Sequence, residues 1–177
     1  MTSLVVRPWR LDDAESLLVA CGSDDIELPG GPLRTMEQAE QWIADLSVAQ
    51  AVGRAQSWAI TVDDLPVGGV ALRRIDHAHQ SAEISYWLAE FTRGLGLAAR
   101  ATAAVAAYGF NEGQLFRIEL AFRATHPKSR AVAERVGFTA EGIHRAKMLL
   151  EGERVNVETY ARLASDPPPD IEPLGLR

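Results

Sequence analysis

The stretch Ser85–Asn111, SYWLAEFTRGLGLAARATAAVAAYGFN, constrains this chain most. It joins a strand with a two-residue period to a long Ala-rich helix through a loop carrying two glycines and two nearby arginines. In that loop Arg93, Gly94, Leu95, Gly96, Leu97 and Ala98 bring two glycines and an alanine to the place where the helix begins. Consecutive backbone N–H groups can converge there on an anion. The helix N-terminus adds unsatisfied donors and a partial positive charge. The charges agree, because no acid occurs between Thr92 and Phe110, while Arg93 precedes the helix and Arg100 lies inside its start. Helix starts ordinarily favour acids. Asp12 to Glu15 and Thr35 to Gln38 follow that rule, each spaced as a capping box ahead of an apolar-periodic run. The inverted start predicts a phosphate or pyrophosphate ligand, against the alternative of two arginines pointing into water.

A chain of 177 residues fits one domain, read here as residues 1–164 followed by a Pro-rich tail, 165–177. The net charge of −6 argues against general nucleic-acid binding and suits a cationic partner. A single cysteine, Cys21, excludes an intramolecular disulfide and any Cys-clustered metal site. The N-terminal MTSLVVRPWRLDDAE lacks the apolar region of a signal peptide, and no run reaches membrane-spanning length. A cytoplasmic protein without a membrane partner is expected.

Leu4–Val6 reads as a first strand and Leu11–Ala20 as a helix burying Leu11, Leu17 and Leu18. A Gly/Pro/Asp-rich loop follows, locally acidic through Asp24, Asp25 and Glu27. A second helix spans Thr35–Gln50, with Ala39, Trp42, Ile43 and Leu46 at helical spacing. These two helices and their acidic connector are placed to border a site for a cationic group; a solvated loop without a ligand is the equal alternative. Trp58, Ile60 and Val62, the return strand Val67–Ile75 and Ala82–Leu88 form an antiparallel meander. Gly113 stops the central helix, and Phe116, Ile118, Leu120 and Phe122 alternate along the next strand. The succession strand, helix, strand predicts parallel neighbours around Leu88 and Ile118. In THPKSRAVAERVGF, His126 is the cap, Pro127 the first helical residue and Gly137 the stop, with Ser129 in the first turn. Strands Phe138–Lys147 and Asn156–Leu163 follow, and the tail is expected to be extended or disordered.

This order, with RGLGLA opening the central helix and HPKSRAVAERVGF after the next strand, resembles the GNAT superfamily of acyl-CoA-dependent N-acetyltransferases. AEISYWL, RVGF, EGIHR and VETYARL are similar to its Rim-type subgroup, which includes acetyltransferases of ribosomal-protein N-termini. The resemblance implies an α+β, three-layer fold. Its central sheet is mixed, mostly antiparallel and twisted, of about seven strands, with a V-shaped splay between strands 4 and 5 and about four flanking helices. Acetyl-CoA is the implied acyl donor. Arg93, Gly96 and Ala98 match the family's Arg/Gln-x-x-Gly-x-Gly/Ala loop, whose backbone N–H groups bind the CoA pyrophosphate. Trp87, Leu88, Gly94, Leu95, Leu97, His126 and Ser129 are the other implied contacts of the cofactor.

The implied reaction is direct attack of a neutral amine on the thioester, with a base taking a proton and an acid meeting the departing thiolate. Two positions depart from the family: His126 stands where many members have Asn, and Ala133 where they have a Tyr acid. The missing Tyr moves the proton donor to Ser129. Some Rim-type enzymes place a carboxylate where Met148 stands, so Glu83 is the expected base, acting through water. A simple ion pair of Glu83 with Arg73 or Arg74 is the alternative. Asp24, Asp25 and Glu27 are the expected acceptor contacts, the acceptor being a protein N-terminus or a small cationic amine. A homodimer is implied by resemblance, and no metal is expected.

Two other functions compete. Gly94, Gly96 and Ala99 fit the dinucleotide pattern G-x-G-x-x-A with Glu119 downstream, but Ala89–Arg93 intervenes between strand and first glycine. A non-catalytic acyl-CoA-binding or regulatory module would keep the loop and explain Ala133 and Met148. Cys21 reads as a small buried hydrophobe rather than an acetyl-accepting thiol. His77 and His79 have only Asp76 as a third ligand and read as surface residues. His144 reads as structural, and Trp87 as either a cleft wall or a core aromatic.

Overall fold

A computed structural model describes residues 2–22, 26, 28 and 31–177. Among the described residues eight strands form one sheet: β1 (Leu4–Pro8), β2 (Ala55–Val62), β3 (Leu65–Asp76), β4 (Ser81–Leu88), β5 (Arg117–Arg123), β6 (Thr139–Leu150), β7 (Glu153–Leu163) and β8 (Gly175–Leu176). Their order across the sheet is β6-β7-β5-β4-β3-β2-β1-β8. Helices α1 (Ala14–Ala20) and α2 (Met36–Ala51) pack around Ala14, Leu17, Ala39 and Ile43. On the other face α3 (Leu97–Asn111) and α4 (Pro127–Arg135) share the main core with Leu72, Ile84, Ile118 and Leu120. This is the expected three-layer α+β architecture with one strand more than expected.

The meander follows from alternation. Trp58 and Ile60 on β2, Val70 and Leu72 on β3, and Ala82 and Ile84 on β4 all enter the main core. Asp63 and Asp64, both at positive φ, make the two-residue turn between β2 and β3. At α2 the expected capping box is present: the Gln38 N–H donates to Thr35 Oγ1 and the Thr35 N–H to Gln38 Oε1, both at 3.2 Å. The first helix differs from expectation. Leu11–Asp13 is a 3-10 turn, Leu11 is 64% exposed, and the expected Asp12–Glu15 capping box does not form: Asp13 is the N-cap of α1, without a side-chain cap, and its carboxylate receives the Arg10 N–H. The reason is Arg7, which is buried and grips both carboxylate oxygens of Asp13 at 2.8 Å, so the chain turns toward β1. Phe116 also differs, lying half exposed just before β5.

β4 and β5 are parallel, but they pair only through Ser81–Arg117, Ala82–Ile118 and Glu83–Glu119. Beyond Glu83 β4 continues to Leu88 with no partner on β5, while β5 continues to Arg123 paired only with β7. A V therefore opens between them, with its apex at Glu83. On its far side β4 is held to β3 by close backbone approach: a Cβ at Gly68 would sit 2.4 Å from the Trp87 carbonyl oxygen.

The tail is extended and packed. Leu174 is 3% exposed in the main core, its N–H donates to the Arg100 carbonyl of α3, and β8 lies parallel to β1 at Val5 and Val6. Among the described residues no helix is long and apolar enough to cross a membrane.

Candidate active site

The mouth of the V is formed by the end of β4 and the start of α3. Gly94 and Gly96 both have left-handed backbone, at φ 82° and 75°, and flank the exposed Leu95. Gly96 is the N-cap of α3, and no side chain caps that terminus. Leu97, Ala98 and Ala99 hold the first three helical positions, whose N–H groups have no carbonyl four residues back within the helix. A Cβ at Gly94 would meet nothing within 4 Å, so the loop is open to solvent there. These features fit a pyrophosphate.

The two arginines of the inverted helix start are engaged within the chain, which corrects the alternative that they point into water. Arg93 turns back and donates through Nε and Nη2 to the Leu88 carbonyl at 3.1 and 3.0 Å, tying the loop to β4. Arg100 donates through Nε to the Glu172 carbonyl of the tail at 3.0 Å. A further cation comes from α4: Arg135 Nη1 lies 3.7 Å from where a Cβ on Gly96 would stand. Sequence reading missed Arg135 because only the docking of α4 against the loop brings it there.

Inside the V the two faces of β4 carry different chemistry. Tyr86 and Leu88 pack toward α3 and α4. Trp87 turns to the other face, where it stacks on Trp9 at 6.3 Å, and Trp9 meets Trp42 edge-on at 5.4 Å. Trp87 thus serves as a core aromatic beside the cleft. Ser129 is half-buried in the first turn of α4, its N–H donating to the carbonyl of the cap residue His126 at 3.1 Å. Arg130 on the same turn is ion-paired with Glu158 of β7. The Arg130 guanidinium holds the Glu158 carboxyl below the ordinary range, and the pair fixes the start of α4 against the sheet.

Glu83 stands at the apex, 32% exposed, with its Oε1 2.6 Å from Nη1 of Arg74. Asp24, Asp25 and Glu27 lie outside the described residues. A groove of about 380 Å³ runs along α2, lined by Pro32, Leu33 and Trp42 and by the acids Glu37 and Asp45. Burial pushes the Cys21 thiol up to about 12, so it is a poor nucleophile. His79 Nδ1 pairs with Asp76 at 3.1 Å, and among the described residues no cluster of three or more His, Cys, Asp or Glu is placed to hold a metal. Met148 lies opposite Val155 in the β6–β7 hairpin.

A sheet split between β4 and β5, with a glycine loop opening α3 at its mouth, defines an acyl-CoA-dependent acyltransferase architecture. The chain belongs to the acetyltransferase (GNAT) domain family, whose model matches residues 3–139. It is similar to the ribosomal-protein-serine acetyltransferase of Escherichia coli (strain K12), 32% identical over 111 residues, 63% of this chain and 62% of that one. It is also similar to the spermidine N(1)-acetyltransferase of the same strain, 27% identical over 99 residues, 56% of this chain and 53% of that one. The chain thus spans less than two thirds of the length of these curated relatives. Among solved structures, Mycobacterium smegmatis RimJ in complex with CoA-disulfide superposes with a TM-score of 0.82 at 26% identity, covering 92% of this chain and 85% of that one.

Proposed function

We propose that this chain transfers an acetyl group from acetyl-CoA to a primary amine, either a protein N-terminus or a small cationic amine. The observation that carries the reading is the V between β4 and β5, whose mouth is the left-handed Gly94–Gly96 loop at the N-terminus of α3. Gly94, Leu95, Gly96, Leu97 and Ala98 hold the pyrophosphate through backbone N–H groups, with Arg93 bracing the loop and Arg135 adding charge. The Trp87 backbone on the unpaired edge of β4, with Leu88 and His126, walls the path of the pantetheine arm. The acyl donor supplies an activated thioester, and the chain supplies binding, orientation and proton transfer.

Glu83 is the base. At the apex it meets an amine arriving from the α1 and α2 face and takes its proton through water. Ser129, on the opposite face, is the donor that meets the departing sulfur. Base and acid on opposite faces suit a direct attack through the opening. The acidic rim of the α2 groove, together with Asp24, Asp25 and Glu27, draws a cationic acceptor, in keeping with the amine substrates named for the two curated relatives. The long edge strand β6, exposed along nearly its whole length with Ile143 and Leu149 outward, supports a homodimer. A cytoplasmic location follows from the same reading, and the reaction requires no metal.

Calorimetric titration with acetyl-CoA and separately with NADH, on the wild type and on Gly96→Glu, tests this. Acetyl-CoA binding that the variant loses, no NADH binding, and thiol release with an amine are the expected results. Binding without turnover of any amine would leave the non-catalytic acyl-CoA module as the function. No acetyl-CoA binding would remove the proposal.

A further inference from the structure

Arg73 on β3 stands directly opposite Glu83, the residue at the apex of the V on β4. Residues in that register share a face of the sheet, with their Cβ atoms about 5 Å apart. A carboxylate so placed ordinarily closes on the guanidinium. Here a bulge diverts it: the β3–β4 register shifts between Arg73 and Asp76, and Arg74 takes a positive φ of 50°. Arg74, with its side chain 80% exposed, thereby reaches Glu83 and holds its carboxylate. Arg73 is left half-buried, its Nε is shut off from solvent without a hydrogen-bond partner, and among the described residues it makes no ion pair.

A guanidinium N–H that is buried and finds no acceptor is unfavourable and calls for a reason. The surroundings supply none. On β5, Arg117 donates to Glu119 and to both oxygens of Glu141, so those acids are engaged with a cation of their own. Ala55 lies opposite Arg73 on β2, and Ala71 and Ser85 form the next pair on the same face, so none of these brings a carboxylate. Two guanidinium groups thus share one acid at the apex. A purely cationic acceptor would add another positive charge there. The groove along α2 has the opposite sign through Glu37 and Asp45. An acceptor that answers both carries an amine and an anion.

We propose that Arg73 is a specificity-determining residue of the acceptor site: its guanidinium takes a carboxylate of the acceptor, which is an amine with a carboxylate close by, supplied by a free amino acid or by a peptide with an acid at its N-terminus. The inference rests on the acetyl-transfer reading above and narrows its acceptor. The planar fork of a guanidinium fits a carboxylate through two parallel N–H···O bonds. Held one strand away from the cleft, the acceptor lays its amine over Glu83. Arg73 exchanges no proton and keeps its charge throughout, so it acts on acceptor binding and leaves the chemistry to other groups.

The test compares acceptors that differ only in the carboxylate. L-alanine is set against L-alaninamide, the C-terminally amidated tripeptide Asp-Ala-Ala against Asn-Ala-Ala, and spermidine stands as the purely cationic acceptor. In at least one pair the carboxylate-bearing member should exceed its neutral twin in kcat/KM by about tenfold to a hundredfold, and which pair does so identifies the source of the carboxylate. Arg73→Gln should erase that advantage through KM, with kcat, the rate on the neutral twin and acetyl-CoA affinity within about twofold of wild type. Arg73→Lys should restore part of it, since a lysine keeps the charge and loses the fork. Equal rates within both pairs, turnover of spermidine alone, or an advantage that survives Arg73→Gln would overturn the inference and leave acetyl transfer standing. A wild type that binds acetyl-CoA and acetylates none of the five would overturn both. Should Arg73→Gln fail to fold, equal wild-type rates within both pairs are themselves enough to overturn the assignment.

Discussion

Glu83 shows how one carboxylate supports two accounts. Its pairing with Arg74 at 2.6 Å is the ordinary behaviour of a partly exposed acid beside a guanidinium on the neighbouring strand. Its place at the last paired position of β4 and β5 is not ordinary, because there the cleft closes. Removing the charge separates the two. If Glu83 is the base, Glu83→Gln should lower kcat by about a hundredfold or more and leave acetyl-CoA affinity unchanged in calorimetry. If it is only an ion pair, kcat should stay within about twofold, since a single exposed pair contributes under about 1 kcal/mol. Sequence made some of these residues legible and hid others, for physical reasons. Two glycines ahead of an Ala-rich helix point to a left-handed loop, because few other residues tolerate that backbone. Glu83 on a strand beside two arginines is equally readable as an ion pair. Which helices cover Tyr86 was not readable, since strand alternation gives a side chain's face and says nothing of which helix turn docks against it.

At the scale of elements, strand alternation made the meander visible, the succession strand, helix, strand pointed to the β4–β5 parallel pair, and the Thr35–Gln38 spacing gave the start of α2 to within a residue. The first helix was harder. Helical periodicity placed Leu11 inside, whereas the element there is set by a polar contact across the chain. Arg7, 3% exposed, is held by both oxygens of Asp13 and by Asp64 in the β2–β3 turn, so one buried guanidinium ties β1, the 3-10 turn and the hairpin together. Periodicity counts apolar residues and is blind to such a knot. Asp13→Ala should be costly, because it leaves a buried cation short of a partner and also frees the Arg10 N–H. Losses of this kind run to about 3–5 kcal/mol, and the remaining contacts to Asp64 place this one near the lower end. Urea unfolding should show a lower midpoint at unchanged slope. A variant as stable as the wild type would mean that Asp64 alone neutralises Arg7.

Across the whole molecule, the composition of α3 and the tail belong to one argument. α3 buries Leu97, Ala99, Ala101, Thr102, Ala103, Ala104, Val105 and Ala106, which run around the helix rather than along one stripe. A helix with no polar face needs cover on both sides. The sheet covers one side, and the tail contributes to the other: Leu174 enters the core, Ile171 and Leu176 pack against it, and Arg100 is held at the Glu172 carbonyl. The missing polar face of α3 is the signal that the tail folds back, whereas a Pro-rich composition by itself is equally compatible with a disordered end. Removing residues 165–177 should therefore weaken more than the C-terminus. Re-exposing Leu174 alone is worth about 1.5–3 kcal/mol, and Leu176 and Ile171 add smaller shares, against a total stability of about 5–15 kcal/mol for a domain. A drop in Tm on the order of 10 °C is expected for a chain of this size. Acetyl-CoA affinity should fall with it, because Arg100 sits in the first turn of the helix that carries the anion loop, and its anchor at Glu172 is lost. Thermal unfolding and calorimetry on the truncated chain measure both effects. Unchanged Tm and unchanged affinity would make the tail a separable appendage and leave the Ala-rich surface of α3 without an explanation.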